Sequence, residues 1–347
     1  MRKNKILIIC DASGGGIYEY AKPLFIKIKD KVNAKFLARN NENFFHRLNY
    51  YKSIISEILF GNYTVIDIQQ LIWPLHVLII LLREIKGFKL VFDAHEEPWT
   101  IHTKLRPMLI RSLIFNTSDK LVTHSQNNER ILKSLRYKNV IYAPIATNLE
   151  QLHFFNIDKA RKKLDWKDKY YVLSFGWITY NKGIDILLKA VPLVTKEVSG
   201  VKFVISGKVF DDWKPYQKII DSLKLKNFII RNEEFMPWEK VSQFFSASDI
   251  VVMPYREANN SSVPSVAYFF KKPIVATDDG AFREMIHNNK NGILVKRENI
   301  EELADAIVKL LKNKKLRLEY GRRGYKLLNT QFSWKLITDV YLNKVFK

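Results

Sequence analysis

Residues Ser248 to Met285 read SDIVVMPYREANNSSVPSVAYFFKKPIVATDDGAFREM. Ile250 to Pro254 is an apolar run of strand length, Pro264 suits the first turn of a short helix, and Pro273 to Thr277 is a second strand-like run. Between the first strand and the helix lies a small-residue loop, Asn259-Asn260-Ser261-Ser262. That order puts unpaired backbone N–H groups and the positive end of a helix dipole at a strand end, where an anion such as a diphosphate binds. An ordinary strand–loop–helix connection has the same pattern, so the rest of the chain must decide.

The chain has 347 residues, enough for two domains of moderate size, each burying its own core. Hydrophobic residues at 47% and charged residues at 27% are globular values. Lys and Arg number 57 against 35 for Asp and Glu, a net +22, so the field attracts polyanions, anionic membrane or phosphorylated substrates. Composition does not choose among the three. The single cysteine, Cys10, excludes an intrachain disulfide framework and fits a reducing cytosol. Five apolar residues before Asp11 are too few for a signal-peptide core. The most apolar segment, Leu71 to Leu82, contains Pro74 and His76 and is shorter than the ~20 residues a spanning helix needs.

Outward from the opening stretch, strand-like and helix-like runs alternate along both halves, which implies parallel pairing with right-handed crossovers. In the first half, strand Lys5 to Asp11 runs into Ser13-Gly14-Gly15-Gly16 and then a helix, without the G-x-G-x-x-G spacing of a dinucleotide fold. Strand Lys89 to Asp93 runs into Ala94, His95, Glu96 and Glu97, at the sheet edge where ligands of open α/β sheets collect. His95 there is either a hydrogen-bonding or proton-transferring group or a loop cap with no chemical role. His124, after the next strand, has a weaker claim, and the other histidines have no metal-like spacing with cysteine or carboxylate.

Charge-dense residues 152 to 169 read as an interdomain link. The second series then opens with strand Tyr171 to Phe175 and the loop Gly176-Trp177-Ile178-Thr179-Tyr180-Asn181-Lys182-Gly183. A glycine at each end of a six-residue interval, with Lys182 at the helix entrance, suits a loop that folds over phosphate, although it is not a Walker loop. Strand Val201 to Ile205 follows and ends at Ser206-Gly207-Lys208.

Taken together, Gly176 with Lys182-Gly183, Ser206-Gly207, Ala247 to Asp249, Pro254-Tyr255, Pro273 to Thr277, Gly280, Glu284, Asn291 to Val295 and Phe332-Ser333-Trp334 resemble the retaining GT-B glycosyltransferases of glycosyltransferase family 4. The resemblance is strongest from about residue 171 to 334 and looser in the first half. It implies an α/β chain of two Rossmann-like, doubly wound parallel-sheet domains facing a cleft: residues 1–155 on the acceptor side, joined by a returning C-terminal helix at 333–347, and 165–330 binding the donor. It implies transfer of a sugar, with retention, from a nucleotide-diphosphate sugar to a saccharide acceptor, with no metal or other cofactor. Carried over by position, the donor side comprises Gly15, Gly16, Gly176, Lys182, Ser261, Ser262 and Glu284, and His95 contacts the donor sugar region.

Two departures stand out. Trp177 occupies the place where the family has Arg, and Ala258 and Val266 fall where it has paired glutamates, the second of which holds the ribose; valine accepts no hydrogen bond. Lys208 and Arg256 are the candidates to supply the missing cation.

Basic and aromatic residues Phe44, Arg47, Tyr50 and Lys52, with the run Lys104 to Arg111, suit an anionic bilayer surface and a lipid-linked acceptor in cell-surface polysaccharide or glycolipid synthesis; they also suit ordinary helix faces. The expected place is then the cytoplasm, peripheral to the inner face of the cell membrane. A catalytically degenerate sugar-nucleotide-binding subunit is the alternative. Nucleic-acid binding has only the net charge in its favour, with no recognition motif.

Overall fold

A computed structural model describes residues 4–12, 15–39, 44–70, 75–95, 112–234, 236–258 and 261–347. Gly14, Glu96, Glu97, Lys104 to Arg111, Asn259 and Asn260, and the side chain of Phe44, lie outside the described residues. The chain divides into two units, Met1–Asn148 with Gln331–Lys347, and Leu149–Thr330.

In unit 1 the strands are β1 Lys5–Cys10, β2 Asn33–Ala38, β3 Val65–Ile68, β4 Lys89–Ala94, β5 Lys120–Thr123 and β6 Val140–Tyr142. They pair in parallel in the order β2-β1-β3-β4-β5-β6. The connecting helices include α1 Gly15–Ile28, α2 Phe44–Phe60, α3 Leu75–Lys86 and α4 Gln126–Ser134. Because the inner strands bury both faces, their sequences are near-continuous apolar runs, with one core on each side of the sheet. Two carboxylates, Asp67 and Asp93, interrupt these runs fully buried near the carboxyl ends of β3 and β4.

Unit 2 begins with α5 Ile157–Lys163, so the residues expected to form a link are folded into this unit instead. Arg161 of α5 explains why: its guanidinium reaches the Ala247 carbonyl at 3.0 Å and Asp249 Oδ2 at 2.7 Å, tying the charged segment down. The strands are β7 Tyr170–Phe175, β8 Val201–Ser206, β9 Ile229–Asn232, β10 Ile250–Met253, β11 Ile274–Thr277 and β12 Gly292–Val295. The helices are α6 Ile184–Glu197, α7 Lys214–Ser222, α8 Trp238–Ala247, α9 Val263–Phe269, α10 Gly280–Arg283, α11 Ile300–Lys312 and α12 Lys314–Gln331. The strand order is β12-β11-β10-β7-β8-β9, again all parallel. The order reverses between β7 and β10, and ligands of such sheets bind outside the carboxyl ends of the strands at that point.

The last helix, α13 Trp334–Val340, and the turn Tyr341–Val345 return to unit 1. Ile337, Tyr341, Val345 and Phe346 are buried against Ile6, Ile8 and Tyr20. No described helix is long and apolar enough to cross a membrane.

Candidate active site

The cavity of unit 2 opens at the switch point between β7 and β10. Gly176 follows β7, Lys182 ends the turn Tyr180–Lys182 before α6, Lys208 follows β8, and Ser261 and Ser262 precede α9. All five line one cavity of ≈ 530 Å³. Two glycines bring these loops together. Gly207 has φ +149°, and a Cβ on it would overlap the carbonyl of Gly176; Gly183 has φ +63°, and a Cβ there would overlap the carbonyl of Pro254.

Lys182 is the cavity's electrostatic centre. Its ammonium sits 3.9 Å from the centre of the Tyr255 ring, and burial brings its pKa down to about 8. Among the described residues no carboxylate pairs with it. Lys182 is half-buried, and partial desolvation of an ammonium without a counter-ion is costly, which makes the site receptive to an anion.

Arg256 does not line this cavity, contrary to its expected role as the replacement cation. Its guanidinium holds Asp185 through two bonds of 2.9 and 2.8 Å, Glu298 at 2.9 Å and the Tyr180 carbonyl at 2.8 Å, and stacks on the Tyr180 ring. It braces the loop that carries Lys182. Glu284, at the end of α10, is half-buried and also lies outside the lining.

The sequence reading missed Glu234, Met236, Trp238 and Val241, which line the cavity from the segment after β9 and from α8. They carry no motif, and only the fold brings them beside Gly176. Val266, at the position of the family's ribose-holding glutamate, does line the cavity, as does Trp177, which is 57% exposed and packs on Phe210 with ring centres 4.6 Å apart.

In unit 1, Gly15 and Gly16 open α1, the first helix after β1. His95 follows β4 and is buried beside Asp93 and His124. Its Nε2 is 3.0 Å from Gln69 Oε1, and Gln69 Nε2 donates to Asp67 Oδ2 at 2.8 Å and to Asp93 Oδ2 at 3.1 Å. His124 Nδ1 donates to the Ala143 carbonyl at 2.7 Å, and its Nε2 lies 2.7 Å from Asp93 Oδ1. Tyr341 donates to Asp93 Oδ2 and in turn accepts from Tyr20.

Burial drives Asp67 well above the ordinary carboxylate range, helped by the facing charge of Asp93. Asp93, despite equal burial, is held below that range by His124 and His95. Burial and the neighbouring His124 press His95 down to about 3, against the pull of Asp93. Asp93, His95 and His124 converge as a metal-ligand set would. At 2.7 Å, however, Asp93 Oδ1 and His124 Nε2 are closer than two ligands held ~2 Å from a tetrahedral ion.

The residues expected to face an acceptor or membrane lie on α2. Arg47 and Lys52 are exposed, but Tyr50 is not: it points inward and its hydroxyl donates to the Cys10 carbonyl at 2.9 Å. The helical repeat turns position 50 toward the sheet, so Tyr50 is a core residue of unit 1.

With this geometry in hand, similarity to known proteins is informative. The family model described as Glycosyl transferases group 1 matches residues 156–327, almost all of unit 2. Over 98% of the chain, the structure of Anabaena HepE in complex with UDP superposes with a TM-score of 0.78 at 16% identity, covering 99% of that protein. The fold is therefore that of the GT-B glycosyltransferases, two Rossmann-like domains of parallel sheet.

Among curated relatives, an uncharacterized glycosyltransferase of Methanocaldococcus jannaschii is 27% identical over 175 residues, 48% of this chain and 45% of its own length. The poly(ribitol-phosphate) alpha-N-acetylglucosaminyltransferase of Staphylococcus aureus is 28% identical over 163 residues, 47% of this chain and 32% of its own length. The matched region thus spans less than half of either relative.

Proposed function

We propose that this chain is a retaining glycosyltransferase that moves a sugar from a nucleotide-diphosphate sugar to a saccharide acceptor. The observation that carries the reading is Lys182: a half-buried ammonium on an aromatic ring, without a carboxylate partner among the described residues, lining a cavity at the sheet's switch point. Charge develops on the diphosphate as the bond to the sugar breaks, and a preorganised cation in a desolvated site stabilises that charge more than water does. Lys208 lines the same cavity as a second, exposed cation. HepE, of the same fold, binds UDP, and the S. aureus relative is named for transfer to poly(ribitol-phosphate); both support the donor and acceptor classes.

The proposed acceptor is lipid-linked and met at an anionic membrane surface, with the protein peripheral on the cytoplasmic face. Support comes from the net charge of +22 and from the exposed side chains Phe45, Arg47 and Lys52 on α2 and Leu81 and Ile85 on α3. Co-sedimentation with vesicles, with and without anionic lipid, tests this half of the reading.

A second reading is a nucleotide-sugar-binding subunit without transfer, which Val266 in the cavity wall favours because it offers no carboxylate to a ribose at that position. A thermal-shift panel of UDP-, GDP-, ADP- and dTDP-sugars followed by a transfer assay separates the two. Stabilisation with turnover supports the enzyme, stabilisation without turnover supports the subunit, and no stabilisation by any donor removes both.

A further inference from the structure

We propose that Glu234 selects the nucleotide of the donor: its carboxylate accepts the two adjacent N–H groups on the pairing edge of guanine, so that the donor is a GDP-sugar. The inference rests on the function proposed above and narrows it.

Among the described residues, Glu234 is the one carboxylate that lines the cavity. A carboxylate only accepts hydrogen bonds and repels a diphosphate, so it has no use at the phosphate end of a nucleotide. The sheet order fixes where it stands instead. Lys182 reaches the ring of Tyr255, just past β10, and so marks the β7–β10 side of the cavity as the anion end. Lys208 follows β8, and Glu234 comes shortly after β9, at the far side. Neighbouring strands are ~4.8 Å apart, so the end of β9 lies ~10 Å from that of β7 and further from that of β10. A nucleoside diphosphate laid along this edge with its phosphates at Lys182 brings its base, rather than its ribose, to Glu234.

The surroundings suit a base. Met236 and Trp238, from the same segment, line the cavity too, and Trp238 is 40% exposed, which leaves apolar and aromatic surface for a planar ring. The side chain of Glu234 is itself 82% exposed, and its ion pair to Lys240 Nζ is long, at 3.6 Å. Exposed pairs of this kind contribute little, so a ligand displaces Lys240 at small cost. The neighbouring Glu233, by contrast, is paired with Arg231 and lies outside the lining.

The chemistry then chooses among the bases. Uracil and thymine offer one N–H between two carbonyl oxygens, so the second oxygen of the carboxylate would meet another oxygen. Adenine and cytosine place their amino group beside a ring-nitrogen lone pair, with the same repulsion. Guanine alone presents N1–H and the 2-amino group side by side, matched to two carboxylate oxygens.

Titration calorimetry of the full-length protein with GDP, IDP, UDP and ADP tests this, because the hypoxanthine of IDP keeps N1–H and lacks the 2-amino group. GDP should bind about tenfold tighter than IDP and at least as far ahead of UDP and ADP, the discrimination of one good bidentate pair. In Glu234→Ala the preference for GDP over IDP should shrink to about twofold or less, whereas Lys182→Met should weaken every nucleotide alike. Glu234 is exposed, so the variant should keep its fold, which circular dichroism checks. UDP or ADP binding as tightly as GDP, equal binding of GDP and IDP, or a preference that survives Glu234→Ala each overturns the proposal. So does a preference for GDP over 2′-deoxy-GDP that Glu234→Ala removes, since that puts the carboxylate at the ribose. UDP bound ahead of GDP would leave the glycosyltransferase reading intact and sink this one alone; no binding of any nucleoside diphosphate would sink both.

Discussion

The ammonium of Lys182 lies 3.9 Å from the centre of the Tyr255 ring, itself 2% exposed, and its pKa is lowered by burial alone. Such a group serves an absent anion at the expense of the free protein. Lys182→Met keeps the apolar stem and removes the charge, so nucleotide-diphosphate affinity should fall by roughly tenfold or more, the loss of one charge-assisted contact of ~1.5–3 kcal/mol. The ligand-free variant should melt higher than wild type near pH 7, because the desolvation cost disappears while the cation–π contact it forfeits is worth only ~0.5–2 kcal/mol. Calorimetry with UDP and melting without ligand measure the two effects. Reduced stability with unchanged affinity would show that Lys182 is a structural residue.

The same shift sets a pH dependence. A lysine whose folded-state pKa lies at about 8, below its unfolded value, penalises the folded state at low pH, and the penalty is relieved as pH rises from about 8 through the unfolded pKa. A bound diphosphate favours the charged form and raises the pKa again. Affinity for the diphosphate should therefore be constant below pH 7 and decline as pH rises through about 8, with proton uptake on binding at that pH. Titration calorimetry in buffers of different ionisation enthalpy reads that uptake directly. Lys182→Met should abolish the pH step.

Much of this was legible in the chain, for identifiable reasons. Apolar runs such as Lys5–Cys10 and Tyr170–Phe175 announce strands buried on both faces, and Gly176, Lys182, Ser261 and Ser262 converge because each ends or follows a strand at the same edge of one sheet. Arg256 lies outside the lining because it is held by Asp185, 71 positions away in the first turn of α6, and pairing across such a distance leaves no local sign in the sequence. Tyr50 was misread because its neighbours Arg47 and Lys52 are exposed while the helical turn points Tyr50 inward. Asp67 and Asp93 did carry a signal, a carboxylate at the end of each of two fully buried strands, but the histidines, tyrosines and Gln69 that satisfy them come from separate elements.

Gly207 tests how closely the loops must approach. Its backbone, at φ +149°, passes against the Gly176 carbonyl, and the Gly176 amide donates to the Ser206 carbonyl at 3.0 Å. Gly207→Ala combines an unfavourable backbone conformation with a clash against main chain, which cannot move as a side-chain tip can. Destabilisation of about 3 kcal/mol or more is expected, with loss of nucleotide binding. Chemical denaturation of the variant is the check, and an unperturbed midpoint would show that the loops have room to separate.

Arg256 gives the opposite separation from Lys182. Its bonds to Asp185, Glu298 and the Tyr180 carbonyl hold the turn that presents Lys182, yet it contributes nothing to the cavity lining. Removing one partner of a half-buried ion pair leaves Asp185 without its main counter-charge, so Arg256→Ala should lose about 2 kcal/mol of stability, below the ~3–5 kcal/mol of a fully buried pair because water screens part of it. Asp185 is held below the ordinary carboxylate range by Arg256, against the effect of its own burial, so wild-type stability from this pair is present above the unfolded-state pKa and is lost as pH falls through the lower folded-state value. The gap between wild type and Arg256→Ala should accordingly close in acid. At temperatures where the variant remains folded, its affinity for the diphosphate should fall far less than that of Lys182→Met. A larger loss of affinity from Arg256→Ala than from Lys182→Met would return Arg256 to the place of the missing donor-binding cation.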